Sequence, residues 1–493
     1  MKNGTTTERV TCGILFIAAF LFVFLFSCTT SPLYEHYPFW FHGDSGIFQE
    51  MGVCLLQGGT PYVDLFDHKG PMLWLIQAFG IWISPRWGLM ALQSFFLFAT
   101  LFMWYKSSEM LTGKRAASLI VSLLCLVFLM AFYQRGNLCE EWSLPFISLP
   151  IYIYIKRWKE VPESERPIYN HKDAMVLGLC VGALAMIRLN NTAPLVGFAL
   201  WHLVRCLQQK EYKRFWTDVA IICAGMVAVF AICVAFYLSK AGWTGVYEMV
   251  YGTFVFNFMY LGGKAEMLFV ERLPYYIPLC VALIATIVCT VVGRRTLNVG
   301  IPATISYTVS LLSIGGHGFL HYMMIIVPLF VISAGITIKE SVRWIYAVWI
   351  GMLCFSAYTG RNAVDLLAFR LRGKHADTEI NEGFHRFVTS IPAAERKSIY
   401  NAGLNHMGAG LFADENIYQC NRIIYKGHSD ISAHLQEYEA THRIADIEPT
   451  WVLTQSERPE AKDGYMTEHY TLKDSIPGGE YDPIWCWKKK KIE

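Results

Sequence analysis

For roughly its first 360 residues the chain alternates long apolar runs with short polar breaks, and then the pattern stops. Runs close to the roughly 20 residues needed to cross a bilayer fall at about 11–28, 88–105, 116–133, 143–155, 174–187, 189–205, 217–238, 274–292, 298–314, 319–336 and 342–358. This spacing predicts about eleven helical spans. The stretch PMLWLIQAFGIWI (71–83) is as apolar but too short to cross, and counting it would invert every later loop. It reads as a juxtamembrane or re-entrant helix sheltered by protein. After residue 360 charged residues become frequent. KSIYNAGL and PTWVLTQ read as short buried strands, and DISAHLQEYEATHRIAD as an amphipathic helix with Ile431, Leu435 and Tyr438 near helical spacing. The predicted fold class is a polytopic α-helical membrane protein with a small C-terminal α/β domain, divided into 1–359 and 360–493.

Composition agrees. The chain is 54% hydrophobic and 16% charged, where soluble proteins carry about 25% charged residues. A net charge of +3 gives no reason to expect nucleic acid. The 14 cysteines lie mostly in apolar runs without CxxC or zinc spacing, so redox and structural-metal chemistry are not suggested. Cys420 and Cys486 are disulfide candidates only if the fold brings them together. The distribution of charge is more informative. Lys106, Lys114, Arg115, Lys156, Arg157, Arg205, Lys213, Arg214, Arg294, Arg295 and Arg343 all fall on the N-terminal side of the membrane, a positive-inside pattern. The first run follows Lys2 and Arg9 and lacks a cleavage site, so it reads as an uncleaved helix. The expected placement is a multi-pass chain in a bacterial inner membrane. Its N-terminus is cytoplasmic, with the first loop (29–87) and the C-terminal domain outside.

That first loop holds HGDSGIFQEMGVCLLQGGTPYVDLFDHKGP, His42 to Pro71, with Asp44, Asp64, Asp67, His68 and Lys69 set among glycines and aromatics. Asp44 or Ser45 alone could simply cap a short helix, and Asp64 suits a turn. Together the charges cannot form a lipid-facing surface, and ionisable groups at membrane depth usually line a cavity or pathway.

The pattern D-x-G-x-F followed by GGTPYVDLFDHKGP resembles the first extracytoplasmic loop of GT-C glycosyltransferases, such as protein O-mannosyltransferases and lipid A aminoarabinose transferases. The specific matches lie in 43–73, while the topology resembles the family over the whole chain. The resemblance implies that Asp44 is the catalytic carboxylate and that Lys69 lies near a lipid phosphate. A second acidic position of the family's string falls on either Asp67 or His68. Gly70 stands where many members have Pro, and Phe48 where many have Tyr.

Weaker echoes follow. QRGNLCEEWSLP (134–145) offers Asn137, Glu140 and Glu141 as sugar or acceptor contacts, or as a solvated turn. Arg188 in IRLNNT could face a phosphate or snorkel to headgroups. In GGHGFLHYMMIIVP, His317 and His321 are four apart and would share a helix face beside Tyr322. The aromatic segment 240–272, ending in Arg272, suits the membrane interface. The cytoplasmic loops are too short for a nucleotide-sugar domain, so the expected donor is a polyprenyl-phosphate-linked sugar and the acceptor an outer glycan, lipid or protein hydroxyl. Asp44 is then the base, supported by Asp67 and His68. Lys69 is the first phosphate partner, followed by Arg188, Arg272 and His321. No cofactor is otherwise implied, but Asp44, Asp67 and His68 leave room for a divalent cation. A polysaccharide polymerase or ligase would instead concentrate its polar cluster in a late loop. A transporter would show broken helices and paired repeats inside its spans.

Overall fold

The structure, a computed structural model, describes residues 6–27, 29–31, 43–161, 169–263, 269–293, 296–314, 319–340, 343–371, 378–404, 408–455, 464–478 and 482–491. Its helices run in chain order as α1 (Thr6–Phe26), α2 (Gly43–Leu56), α3 (Pro71–Ile83), α4 (Gly88–Thr112), α5 (Arg115–Phe132), α6 (Cys139–Glu160) and α7 (His171–Ala185). Next come α8 (Ala193–Gln208), α9 (Tyr212–Val250), α10 (Phe256–Gly263), α11 (Phe269–Gly293), α12 (Leu297–Ile314), α13 (Val327–Glu340) and α14 (Arg343–Thr359). Each apolar run of the sequence has become a helix. Among the described residues, six helical stretches are long and apolar enough to cross a membrane unaided: α1, α4, α5, the stretch from α9 into α10, α12 and Leu320–Glu340. Their outward faces expose Ile120, Val227, Ile232 and Leu312, as lipid contact requires. The short apolar stretch is α3, packed against α2 and α4, with Trp74 and Gln77 buried.

Polar pins hold the bundle at the end of α7 remote from α2. Asp218 of α9 meets His171 Nδ1 at 2.6 Å and His202 Nε2 at 2.9 Å, and Arg214 Nε lies 3.4 Å away. Cys206 stands close enough to His202 and Asp218 for a metal site. The Tyr169 N–H, however, donates to His202 Nδ1 at 3.3 Å. That leaves the ring proton on Nε2, facing Asp218. With a guanidinium beside the same carboxylate, the cluster is a hydrogen-bonded clasp of α7, α8 and α9.

Near its end α9 is broken at Ala241 and Gly242, where φ/ψ leave the helical region. Beyond the break it continues through a π-helical turn, Tyr251–Val255, into α10. This is the aromatic segment noted in the sequence, and much of it packs on protein. Phe256 lies 5.3 Å from Phe66 and Tyr251 is buried, while Trp243 and Phe258 face outward.

The C-terminal α/β domain follows α15 (Arg361–Leu371) and α16 (Thr378–Ser390). Its four strands, β1 (Ile399–Asn401), β2 (Trp451–Gln455), β3 (Tyr470–Ile476) and β4 (Ile484–Lys489), stand in the order β1-β2-β4-β3. β1 and β2 are parallel; β4 is antiparallel to both neighbours. The basic C-terminal run begins within β4, where Lys488 and Lys489 pair with Glu395 and Glu448. Short helices α17 (Ala409–Asp414), α18 (Lys426–Ser429) and α19 (Ala433–Thr441) cover the face turned toward the bundle. Leu435 is buried in α19, as its spacing predicted. Cys420 and Cys486 are both free thiols.

Candidate active site

The loop between α2 and α3 is folded tightly upon itself. Tyr62 takes a positive φ of 70°, its N–H donates to the Leu65 carbonyl at 2.6 Å, and its hydroxyl donates to the Lys69 carbonyl at 2.5 Å. Asp64 accepts the Thr60 N–H at 2.6 Å and is a turn residue, as expected. Two neighbours then clamp the loop. On one side the Gly70 N–H donates to the Ile187 carbonyl at 2.9 Å, at the end of α7. On the other, the Phe66 N–H donates to the Arg422 carbonyl at 2.8 Å, in the C-terminal domain. The first clamp explains the departure at Gly70. A Cβ there would lie 2.0 Å from the Met186 carbonyl oxygen, and proline would also lack the donated N–H.

Asp67, His68 and Lys69 are all buried. The Asp67 carboxylate accepts the Lys69 N–H at 3.0 Å and lies 3.9 Å from its Nζ. The ammonium also stands 5.7 Å from the Phe48 ring centroid, a contact that needs an aromatic face but no hydroxyl. Burial alone would depress the Lys69 pKa, but Asp67 and Asp44 outweigh it and raise it above its usual value. Lys69 is therefore a fixed positive charge. Its Nζ donates to His68 Nε2 at 3.0 Å. The remaining ring proton then sits on Nδ1, which faces His428 Nε2 at 3.1 Å. The His68 carbonyl accepts from Asn257 Nδ2 at 2.8 Å, and its ring stacks on Tyr260 with centroids 4.7 Å apart.

Asp67, His68 and His428 present one ligand atom each within a common radius that suits a metal ion. Nitrogens on a tetrahedral zinc lie about 3.3 Å apart, close to the His68–His428 separation. With Lys69 donating to Nε2, however, His68 Nδ1 carries the ring proton toward His428, so the donor set as bonded does not fit a divalent cation. Asp44, expected in such a set, is not a member of this group.

Asp44 lies in the first turn of α2, half-buried, and interacts electrostatically with Lys69, Cys139 and Tyr322. A second charged group meets it there. Arg188 pairs with Glu140 at 2.5 Å and its guanidinium carbon lies over the Tyr322 ring, 3.6 Å from the centroid. His321 stands 4.0 Å from Glu140 and bonds Gln134 through Nδ1 at 2.7 Å. It lies in a 3-10 segment, Leu320–Ile326, not on an α-helical face. His317 and the Arg272 side chain lie outside the described residues. Asp44, Lys69, Glu140, Arg188, His321 and Tyr322 thus converge, although they come from five separate stretches of chain.

Among solved structures, ArnT from Cupriavidus metallidurans bound to undecaprenyl phosphate aligns with 98% of this chain and 98% of its own, at a TM-score of 0.53 and 10% identity. The chain has the ArnT fold. The GT-C resemblance read from residues 43–73 therefore holds for the fold of the whole chain. No family model and no curated protein matches the sequence. With the ArnT fold in hand, the residues that sequence reasoning missed become understandable. His428 and Arg422 reach the loop from the C-terminal domain and Asn257 from beyond the break in α9, while Gln419 meets Glu50 in α2 and Glu248 holds Arg422. None carries a local motif.

Proposed function

We propose that this protein is an integral-membrane glycosyltransferase that moves a sugar from a polyprenyl-phosphate donor to an acceptor hydroxyl. The observation that carries the reading is the convergence of one half-buried carboxylate, Asp44, with two fixed cations, Lys69 and Arg188, inside an ArnT fold. Asp44 takes the acceptor proton as the oxygen attacks the anomeric carbon. The bond from that carbon to the phosphate oxygen breaks, and the polyprenyl phosphate departs against Lys69 and Arg188. One displacement implies inversion. Glu140 and Tyr322 hold Arg188, while Asp67 and His68 hold Lys69. The proposed placement is a bacterial inner membrane. Residues 1–359 form the membrane domain with a cytoplasmic N-terminus, and 360–493 form the outer domain.

The test is transfer from a panel of polyprenyl-phosphate sugars in membranes, comparing wild type with Asp44→Asn. Wild type transfers and the variant falls by about two to four orders of magnitude. Full activity in Asp44→Asn, or no transfer by wild type from any such donor, sinks the reading.

A further inference from the structure

Residues 133–138 join α5 to α6 through an uncommon backbone. Arg135, Gly136 and Asn137 all take positive φ, at 71°, 80° and 56°, in a region that non-glycine residues seldom enter. A Cβ at Gly136 would lie 2.6 Å from the Tyr133 hydroxyl oxygen and 2.8 Å from Ser27 Oγ. Glycine is required there, but Arg135 and Asn137 must be held in place by their surroundings.

Glu141 supplies part of the hold. It accepts from the Asn137 N–H at 2.7 Å, the Tyr133 hydroxyl at 2.9 Å and Gln93 Nε2 at 3.0 Å. The Asn137 amide supplies the rest and is itself saturated. Its Oδ1 accepts from Gln77 Nε2 at 2.6 Å and Trp142 Nε1 at 2.9 Å. Its Nδ2 donates to Gln77 Oε1 at 3.1 Å and Ser45 Oγ at 2.8 Å. Asn137 is 0% exposed and Glu141 3%, so neither is available to a sugar, as the sequence had allowed. A buried polar network with every member satisfied specifies a single arrangement. This one reaches the site at Ser45, the neighbour of Asp44, which also receives Gln49 Nε2 at 3.2 Å one helical turn on.

We propose that Asn137, held by Glu141, is a positioning residue for Asp44. Through Ser45 it fixes the first turn of α2 and so the direction of the Asp44 carboxylate. The proposal rests on Asp44 being the base, and a displacement of about 1 Å at a reacting group can cost about 100-fold in rate.

Ser45→Ala cuts the link while leaving Asn137 bonded to Glu141, Gln77 and Trp142. The full chain in detergent or nanodiscs is assayed for transfer and for amide hydrogen exchange. Expected are a fall in kcat of about 10- to 100-fold at unchanged donor KM, and faster exchange in the first turn of α2 with α4 and α6 unaffected. Ser45→Thr, which keeps the hydroxyl, recovers most of kcat. Asn137→Leu gives the same signature in α2 together with faster exchange at 135–138. Wild-type kcat or wild-type α2 exchange in Ser45→Ala overturns the proposal, as does an even loss of protection across the bundle. Asp44→Asn, run alongside, separates the two readings. If it is inactive while Ser45→Ala is fully active, only the positioning role fails. If it is fully active, the base assignment fails and takes this role with it.

Discussion

Glu50 allows a measurable account of how the C-terminal domain is held against the first loop. It sits in α2, fully buried. Oε1 accepts the Gln419 N–H at 3.0 Å across that boundary, and Oε2 has no hydrogen-bond partner among the described residues. Burial pushes its pKa up to about 8 from an ordinary 4.5, with the Gln419 bond opposing. Between those two values the folded chain keeps a proton that the unfolded chain has lost. The stability Glu50 contributes is therefore complete below pH 4.5 and is lost as pH rises through 8. At about 1.4 kcal/mol per pH unit, the loss is roughly 3 kcal/mol by pH 7 and at most about 5 kcal/mol above pH 8. Glu50→Gln keeps an acceptor for Gln419 and cannot ionise. Thermal unfolding of the purified full chain, scanned from pH 4.5 to 9, checks the difference. The two proteins should match at the acid end, and the variant should become progressively the more stable toward pH 8. Parallel curves across the range would refute the reasoning, since they would mean Glu50 ionises as readily folded as unfolded.

Gly70→Pro meets the Met186 carbonyl and removes the bond to Ile187. It should lower stability by about 3 kcal/mol or more, read as a lower unfolding temperature and loss of folded protein. Arg422→Met strands Glu248, which is 8% exposed on its side chain and keeps the His434 ring nitrogen at 3.0 Å but no guanidinium or ammonium partner among the described residues. A loss of about 3–5 kcal/mol is expected, and Glu248→Leu in the same chain should recover part of it. Limited proteolysis of the C-terminal domain reads both changes. Arg188→Lys keeps the charge but loses the guanidinium contact with Tyr322. Donor transfer, measured as kcat/KM, should fall about 10- to 100-fold.

The helices were legible because their signal is local. Each apolar run is long, and its length alone distinguishes α3 from a span. Asp44 and the Asp67–Lys69 string were legible for a different reason, since so many charges beside a membrane helix demand a common explanation. The strands β1 and β2 carry a dense apolar pattern and were read. β3 was missed because only its two end residues are buried, so it shows no alternation. Of the histidines at 317 and 321, His321 lies in a 3-10 segment, where four-residue spacing no longer gives the shared face of an α-helix, and His317 lies outside the described residues. His428 and Glu248 could not be found at all: nothing near them in sequence announces His68 as the partner of one or Arg422 as the partner of the other. Asn137 and Glu141 were noticed as polar residues at a helix start. Only their neighbours Gln77, Gln93 and Ser45, brought in from three other helices, show that they face protein.

The His68–His428 contact has a consequence in time as well as in space. Its two halves are 360 residues apart in the chain. At synthesis rates of about 5–20 residues per second, roughly 20 to 70 seconds separate the making of one ring from the making of the other. Through that interval every helix of the bundle can be in place while Asp67, His68 and Lys69 have no cover. The loop must remain wet until α18 arrives, so the candidate site closes only after the whole membrane bundle has been made. A ribosome that stops short of residue 428 leaves a chain with its whole membrane bundle and an open site.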